Sequence, residues 1–160
     1  MTRTLSATER EEDDMDRDEL LQREADAWAA LEAAIARVPA ERRTEEGVVP
    51  GWSVQDLVWH CAKWADYSGG NLEAMATGTY VEEQHDDAYF DAMNADIAAQ
   101  SKTLAWADVM AGATTMRERA RAALVTIPEL TGEAVEDFSG ETFEHYEEHA
   151  AEIAAFADRL

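Results

Sequence analysis

A single cysteine, Cys61, excludes an intrachain disulfide, so packing and hydrogen bonding alone must hold this chain together. Proline is nearly as scarce, at three in 160 residues, and runs of β-branched residues are almost missing, which leaves little from which to build a sheet. No apolar stretch approaches the ~20 residues that a membrane-spanning helix requires. The N-terminal MTRTLSATEREEDDMDRDELL also lacks the apolar centre of a secretory signal. Basic residues are few: 13 Lys and Arg stand against 35 Asp and Glu, a formal charge of -22. A field of that sign repels nucleic-acid phosphates and anionic membranes while favouring solubility. A soluble, cytoplasmic protein that binds neither nucleic acid nor membrane is therefore expected.

What is present is helical in character. Ala, Glu, Asp, Arg and Leu dominate, and the length suits one domain with a core of its own. Residues 1 to 15 are polar and carry EEDDMD, too little apolar surface to offset the entropy of ordering, so a disordered acidic tail is expected there and the folded domain over 16 to 160. Leu20, Leu21, Trp28, Leu31 and Ile35 share one side of a 3.6-residue wheel and predict a first helix from Asp16 to Val38. Gly47, Pro50 and Gly51 break the chain after it. Ser53 and Asp56 form a capping-box pattern that predicts a second helix from Ser53 to Met75, weakened by Gly69 and Gly70. TGTYVEEQH reads as a loop, followed by a short helix from Asp86 to Ser101 carried by Tyr89, Phe90, Met93 and Ile97. Trp106 to Ile127 forms a longer helix that Pro128 stops. PELTGEAVEDFSG reads as a connector, and the last helix is expected from Gly140 to Leu160, with a seam of Phe143, Tyr146, Ala150, Ile153, Ala157 and Leu160. The fold class expected is all-α: a four-helix bundle with an extra short helix between helices two and three.

Two of the four histidines stand four residues apart in ETFEHYEEHAAEI. At roughly 100° per residue, His145 and His149 lie together about 60 to 100° from the centre of the last helix's seam. His60 has a similar place on helix two, in one row with Leu57 and Trp64. Flanks of neighbouring helices can converge at the edge of a bundle, where three imidazoles would suit a divalent ion and leave a coordination position open. Glu144, Glu148 and Glu152 are at hand to hold a second ring nitrogen. The spacing alone leaves another reading open, since two His in a Glu-rich helix are more often exposed polar residues and His60 could be a hydrogen-bonded core histidine. His85 in EEQHDD reads as a solvated loop residue, Cys61 as a small core residue, and Trp64 as lining any cavity the site opens onto.

PGWSVQDLVWHCAKWADY resembles the first signature of the DinB/YfiT-like metal-binding four-helix bundles, in which a Trp precedes a capped helix bearing the first His. TFEHYEEHAAEIAAF resembles the second, an HxxxH pair on the last helix, and the stretch between is similar to the branch containing the N-terminal domain of mycothiol-dependent maleylpyruvate isomerase. The likeness spans residues 16 to 160. It implies that His60, His145 and His149 bind a divalent ion, zinc or nickel in most such proteins, and that the chain forms a homodimer. It further implies a metal-dependent transferase or hydrolase, one that uses a low-molecular-weight thiol of the mycothiol type for S-transfer or isomerisation of a small-molecule electrophile. That branch often continues into a second domain, so maleylpyruvate isomerisation itself is not expected of a chain ending at Leu160. No residue stands out as a general acid or base. The alternative is a non-catalytic bundle that binds metal or a small ligand.

Overall fold

The computed structural model describes residues 15–160, and among them every regular element is helical. The tail expected over residues 1 to 15 lies outside the described residues except for Met15, which packs against the core. Helix α1 spans Arg17–Ala36 and starts on a reciprocal cap: Glu19 N–H donates to Asp16 Oδ1 and Asp16 N–H to Glu19 Oε2, both at 2.9 Å. A 3-10 turn, Ala40–Arg42, and a single antiparallel bridge between Val49 and Trp52 lead into α2, Val54–Thr77. There the anticipated Ser53–Asp56 capping box is present.

The glycine pair does not interrupt α2. Gly69 sits where α4, Trp106–Thr126, crosses closest: a Cβ built there would lie 3.2 Å from Arg119 Cγ and 3.3 Å from the Ala120 nitrogen. A glycine that weakens an isolated helix here permits two helices to approach, and tertiary packing outweighs the propensity cost of ~1 kcal/mol. The helix stops at Gly78, whose φ of 71° is the left-handed conformation that closes many helices.

Helix α3, Asp87–Ser101, is capped by Asp86 but buries only Ile97 and Ser101. Tyr89, assigned to its apolar face by periodicity, is 44 % exposed. The reason lies in its packing: α3 touches the rest of the molecule chiefly along one side of α2.

The largest departure from the sequence reading is at the last helix. PELTGEAVEDFSG is mostly helix: Thr131 caps α5, Gly132–Ser139, by accepting from Ala134 N–H at 3.2 Å, and Ala134, Val135 and Phe138 are buried. Gly140, expected to begin the helix, keeps helical dihedrals inside it. Gly140–Glu144 form a π-helical turn, and α6, His145–Ala157, continues from it, so α5, the turn and α6 make one rod. Leu160, expected in the seam, lies beyond the helix end and is 46 % exposed.

In the assembled bundle α2 packs along α4 and α1 along α6, while α2 also touches α3, α5 and the π turn. The core between them holds Leu20, Leu31, Leu57, Leu72, Leu124, Phe138, Phe143, Tyr146 and Ile153. A carboxylate is also inside it. Glu24 on α1 is fully buried and accepts from Arg117 Nε at 2.5 Å and Nη2 at 2.9 Å, with Arg121 as a further donor. The Arg117 guanidinium also lies over Trp28, 4.7 Å from the ring centre, so one carboxylate ties α1 to α4. No helix among the described residues is long and apolar enough to cross a membrane.

Candidate metal centre

Helix α2 brings His60 to the rod at the point where the π turn becomes α6. There its imidazole meets those of His145 and His149, at ring-centre separations of 5.2 and 5.0 Å. One nitrogen from each of the three lies within 4.8 Å of the others, and no other group of three His, Cys, Asp or Glu side chains converges in this way among the described residues. Small side-chain rotations would close such a set around one ion at metal–nitrogen distances of ~2.0 to 2.1 Å.

Two of the rings are already oriented. His145 Nδ1 is 2.7 Å from the Gly140 carbonyl oxygen, and His149 Nδ1 is 2.7 Å from Glu152 Oε2. Both partners only accept, so each Nδ1 carries a proton, and in the neutral ring the lone pair is left on Nε2. His149 Nε2 is buried without a hydrogen-bond partner, as is His60 Nδ1. Buried, unpartnered nitrogens in two rings whose centres are 5.0 Å apart suit a cation. Burial, helped by the neighbouring His149 and His145, lowers the His60 pKa to about 3. Burial also lowers that of His145, against the opposing pull of the Gly140 carbonyl. Both rings are therefore neutral at physiological pH, the form that ligates metal.

Aromatic rings wall the centre. Trp52 meets His60 edge-on at 5.4 Å, and Trp64 stacks on His145 at 5.8 Å with the ring planes 11° apart. The Trp64 indole donates to Asn94 Oδ1 at 3.1 Å, so the short helix α3 holds the ring that covers His145. His145, stacked under Trp64, keeps 23 % of its side chain exposed, against 11 % for His149. A small open pocket of about 100 Å³, bounded by Trp52, Leu57, His60, His149 and Glu152, reaches the other two rings.

No family model and no curated protein matches the sequence. The fold has a solved counterpart. An uncharacterised protein from Escherichia coli UTI89, known from a crystal structure, superposes with a TM-score of 0.72 over 89 % of this chain and 93 % of its own. The two are 15 % identical, so the likeness extends to the fold alone.

The remaining residues singled out in the sequence fall elsewhere. His85 does not join the cluster; it stacks on Tyr89 at 3.6 Å and pairs with Glu83 at 2.8 Å, more tethered than a solvated loop residue. Cys61 is fully buried and desolvation raises its pKa far above the ordinary thiol range, which leaves it inert as a nucleophile. Of the three glutamates near the pair, Glu152 holds His149; the partner of His145 is a backbone carbonyl. Sequence reasoning missed that carbonyl because it depends on the π turn.

Sequence reasoning also missed a group of polar residues beside His145. Glu141 Oε2 is 3.7 Å from His145 Nδ1, and burial together with the charges of Asp137 and Glu144 pushes the Glu141 carboxyl up to about 8. Burial raises Asp137 too, although Asn71 Nδ2 donates to its Oδ2 at 2.7 Å. Asp137 falls in the segment read as a connector and Glu141 at the expected start of the last helix, so no continuous helical spacing joined the two.

Proposed function

We propose that His60, His145 and His149 bind one divalent transition-metal ion, zinc or nickel, in a bundle of the DinB/YfiT type, and that the centre serves a reaction of a low-molecular-weight thiol. The observation that carries this reading is the convergence of three imidazole nitrogens within 4.8 Å, two of them aimed by hydrogen bonds to the opposite ring nitrogen. The donor set fits the ion: imidazole suits zinc and nickel, and three protein ligands leave room for a further one. An ion held there supplies Lewis acidity that favours the deprotonated form of a thiol or water reaching it.

The chain's own residues do the rest. Glu152 and the Gly140 carbonyl keep the protons on the outer nitrogens, so the inner ones are ready without rearrangement. Trp52 and Trp64 restrict water at the centre, and the small pocket beside His60 and His149 leaves a way in. The low pKa of His60 means that an ion need not displace a proton from it at neutral pH. Since Cys61 is buried and unreactive, the nucleophilic sulfur has to come from a separate molecule, which agrees with S-transfer or isomerisation by a mycothiol-type thiol acting on a small electrophile.

Elemental analysis of the native protein beside the His60→Ala/His145→Ala/His149→Ala variant tests the centre. About one ion per chain is expected in the first and none in the second; native protein that stays metal-free after incubation with zinc and with nickel sinks the reading. Thiol-dependent consumption of electrophiles, lost on chelation, tests the reaction. A metal-loaded protein inactive with every thiol and electrophile pair would instead be a binding module.

A further inference from the structure

The polar group beside His145 is unusual in how much of it is unmatched. From the rod, Asp137 and Glu141 point to the same region; from α2 come Tyr67, Ser68 and Asn71. Ser68 is fully buried and lies against Asp137 without closing a well-formed hydrogen bond to it. Ser68 Oγ, Asp137 Oδ1 and Glu141 Oε2 are all buried atoms with no hydrogen-bond partner. Folded proteins leave few such atoms, and three in one neighbourhood point to a ligand.

The chemistry of the three atoms restricts that ligand. With Glu141 ionised, the form that a cation beside it favours, both carboxylates only accept, and a serine hydroxyl can accept, so the complement is a donor. The charges that reach Asp137 and Glu141 belong to Glu133, Glu144 and each other, all negative, so the donor is a cation. A calcium ion would want six to eight oxygens, more than two carboxylates and a hydroxyl offer. A guanidinium pairs best with both oxygens of one carboxylate, whereas Asp137 Oδ2 is already taken by Asn71. Three single acceptors from three residues match the three N–H groups of a primary ammonium. Asn71, which donates to Asp137, also lines a surface cleft of about 420 Å³ with Tyr67, Tyr80 and Glu83.

We infer that this patch is a subsite for a primary ammonium group, carried by a ligand whose other end reaches the three imidazoles. The two are adjacent: Glu141 Oε2 lies 3.7 Å from His145 Nδ1, at the outer edge of that ring. The inference rests on the reading of the imidazole centre given above and narrows its substrate to an amine-bearing small molecule.

The test uses the full chain, freed of metal by chelation, with the side-chain amide of Asn71 followed by NMR. Ethylammonium should give a saturable shift with at least tenfold higher affinity than tetramethylammonium, which has the same charge and no N–H. Asp137→Asn/Glu141→Gln should weaken ethylammonium at least tenfold, and Ser68→Ala a few-fold. Equal responses to the two ammonium ions, or saturable binding of calcium but not ethylammonium, would overturn the subsite. If the double variant does not fold by circular dichroism, the wild-type comparison and Ser68→Ala still decide. Zinc uptake by the same wild-type sample separates the two readings: uptake without ammonium preference removes the subsite alone, and ammonium preference without uptake removes the imidazole centre alone.

Discussion

His145 donates its Nδ1–H to the carbonyl of Gly140, five residues back and 2.7 Å away. An α-helix stacks residues three and four apart, whereas a π turn closes on the fifth, so the widened turn at Gly140–Glu144 sets this histidine over that carbonyl. One backbone irregularity thereby fixes the tautomer of a candidate ligand.

Glu152 performs the same service for His149 with a side chain, and so can be tested by mutation. Glu152→Ala should lower zinc affinity about 10- to 100-fold, and Glu152→Gln, which keeps an acceptor, by less. Competition with a chromogenic chelator measures both; equal affinities in all three proteins would show that Glu152 does not orient the ring.

Two glycines within helices should respond oppositely to alanine. At Gly69 a Cβ meets the backbone nitrogen of Ala120 at 3.3 Å, so Gly69→Ala forces α2 and α4 apart and should cost about 1 to 3 kcal/mol. At Gly140 the nearest atom is Glu144 Oε2 at 4.0 Å and the dihedrals are helical, so Gly140→Ala should stabilise by about 0.4 to 1 kcal/mol and retain zinc uptake, its carbonyl being unchanged. Urea denaturation reads both.

Removing the buried carboxylate of Glu24 leaves two guanidinium groups without their shared partner. Glu24→Ala should lose about 3 to 5 kcal/mol of stability by thermal or urea unfolding. A loss below about 1 kcal/mol would mean that Arg117 and Arg121 find other acceptors or water.

The metal-free protein should show two opposed pH dependences. His60 titrates near 3 in the folded chain against an ordinary 6.5, so the unfolded chain binds the extra proton between those values and stability rises with pH across that window, then levels. Glu141 titrates near 8 against an ordinary 4.5, so the folded chain holds the extra proton and stability falls as pH rises from 4.5 to 8. Calorimetry from pH 3 to 8 should show the Tm declining above pH 6.5 in the wild type and less steeply in Glu141→Gln. An unchanged slope would mean that Glu141 does not hold the proton.

Much of the fold was legible because the evidence for it is local. The capping pair Ser53 and Asp56 announced the start of α2 before any packing was known, and the stripe of Val54, Leu57, Val58, Cys61, Ala65 and Ser68 is buried as its spacing requires. Errors came where long-range contacts decide. Gly69 reads as a helix breaker until α4 is placed against it, and Gly140 reads as a helix start until Phe138 and Phe143 on either side are both drawn into the core. Tyr89 and Leu160 fit an apolar periodicity that no neighbouring element covers.

At the candidate site, the sequence by itself determined which residues are able to ligate and that His145 and His149 share a helix face, since side-chain chemistry and a 3.6-residue period need no tertiary information. Tertiary structure alone decided that His60 reaches them from a helix more than 80 residues earlier and that a backbone carbonyl and Glu152 turn two of the rings inward. It also decided that Ser68, Asp137 and Glu141 gather beside them with oxygens unmatched. The physical reason is the same in each case: distances and burial between remote segments follow from how helices pack, and no local pattern of residues encodes them.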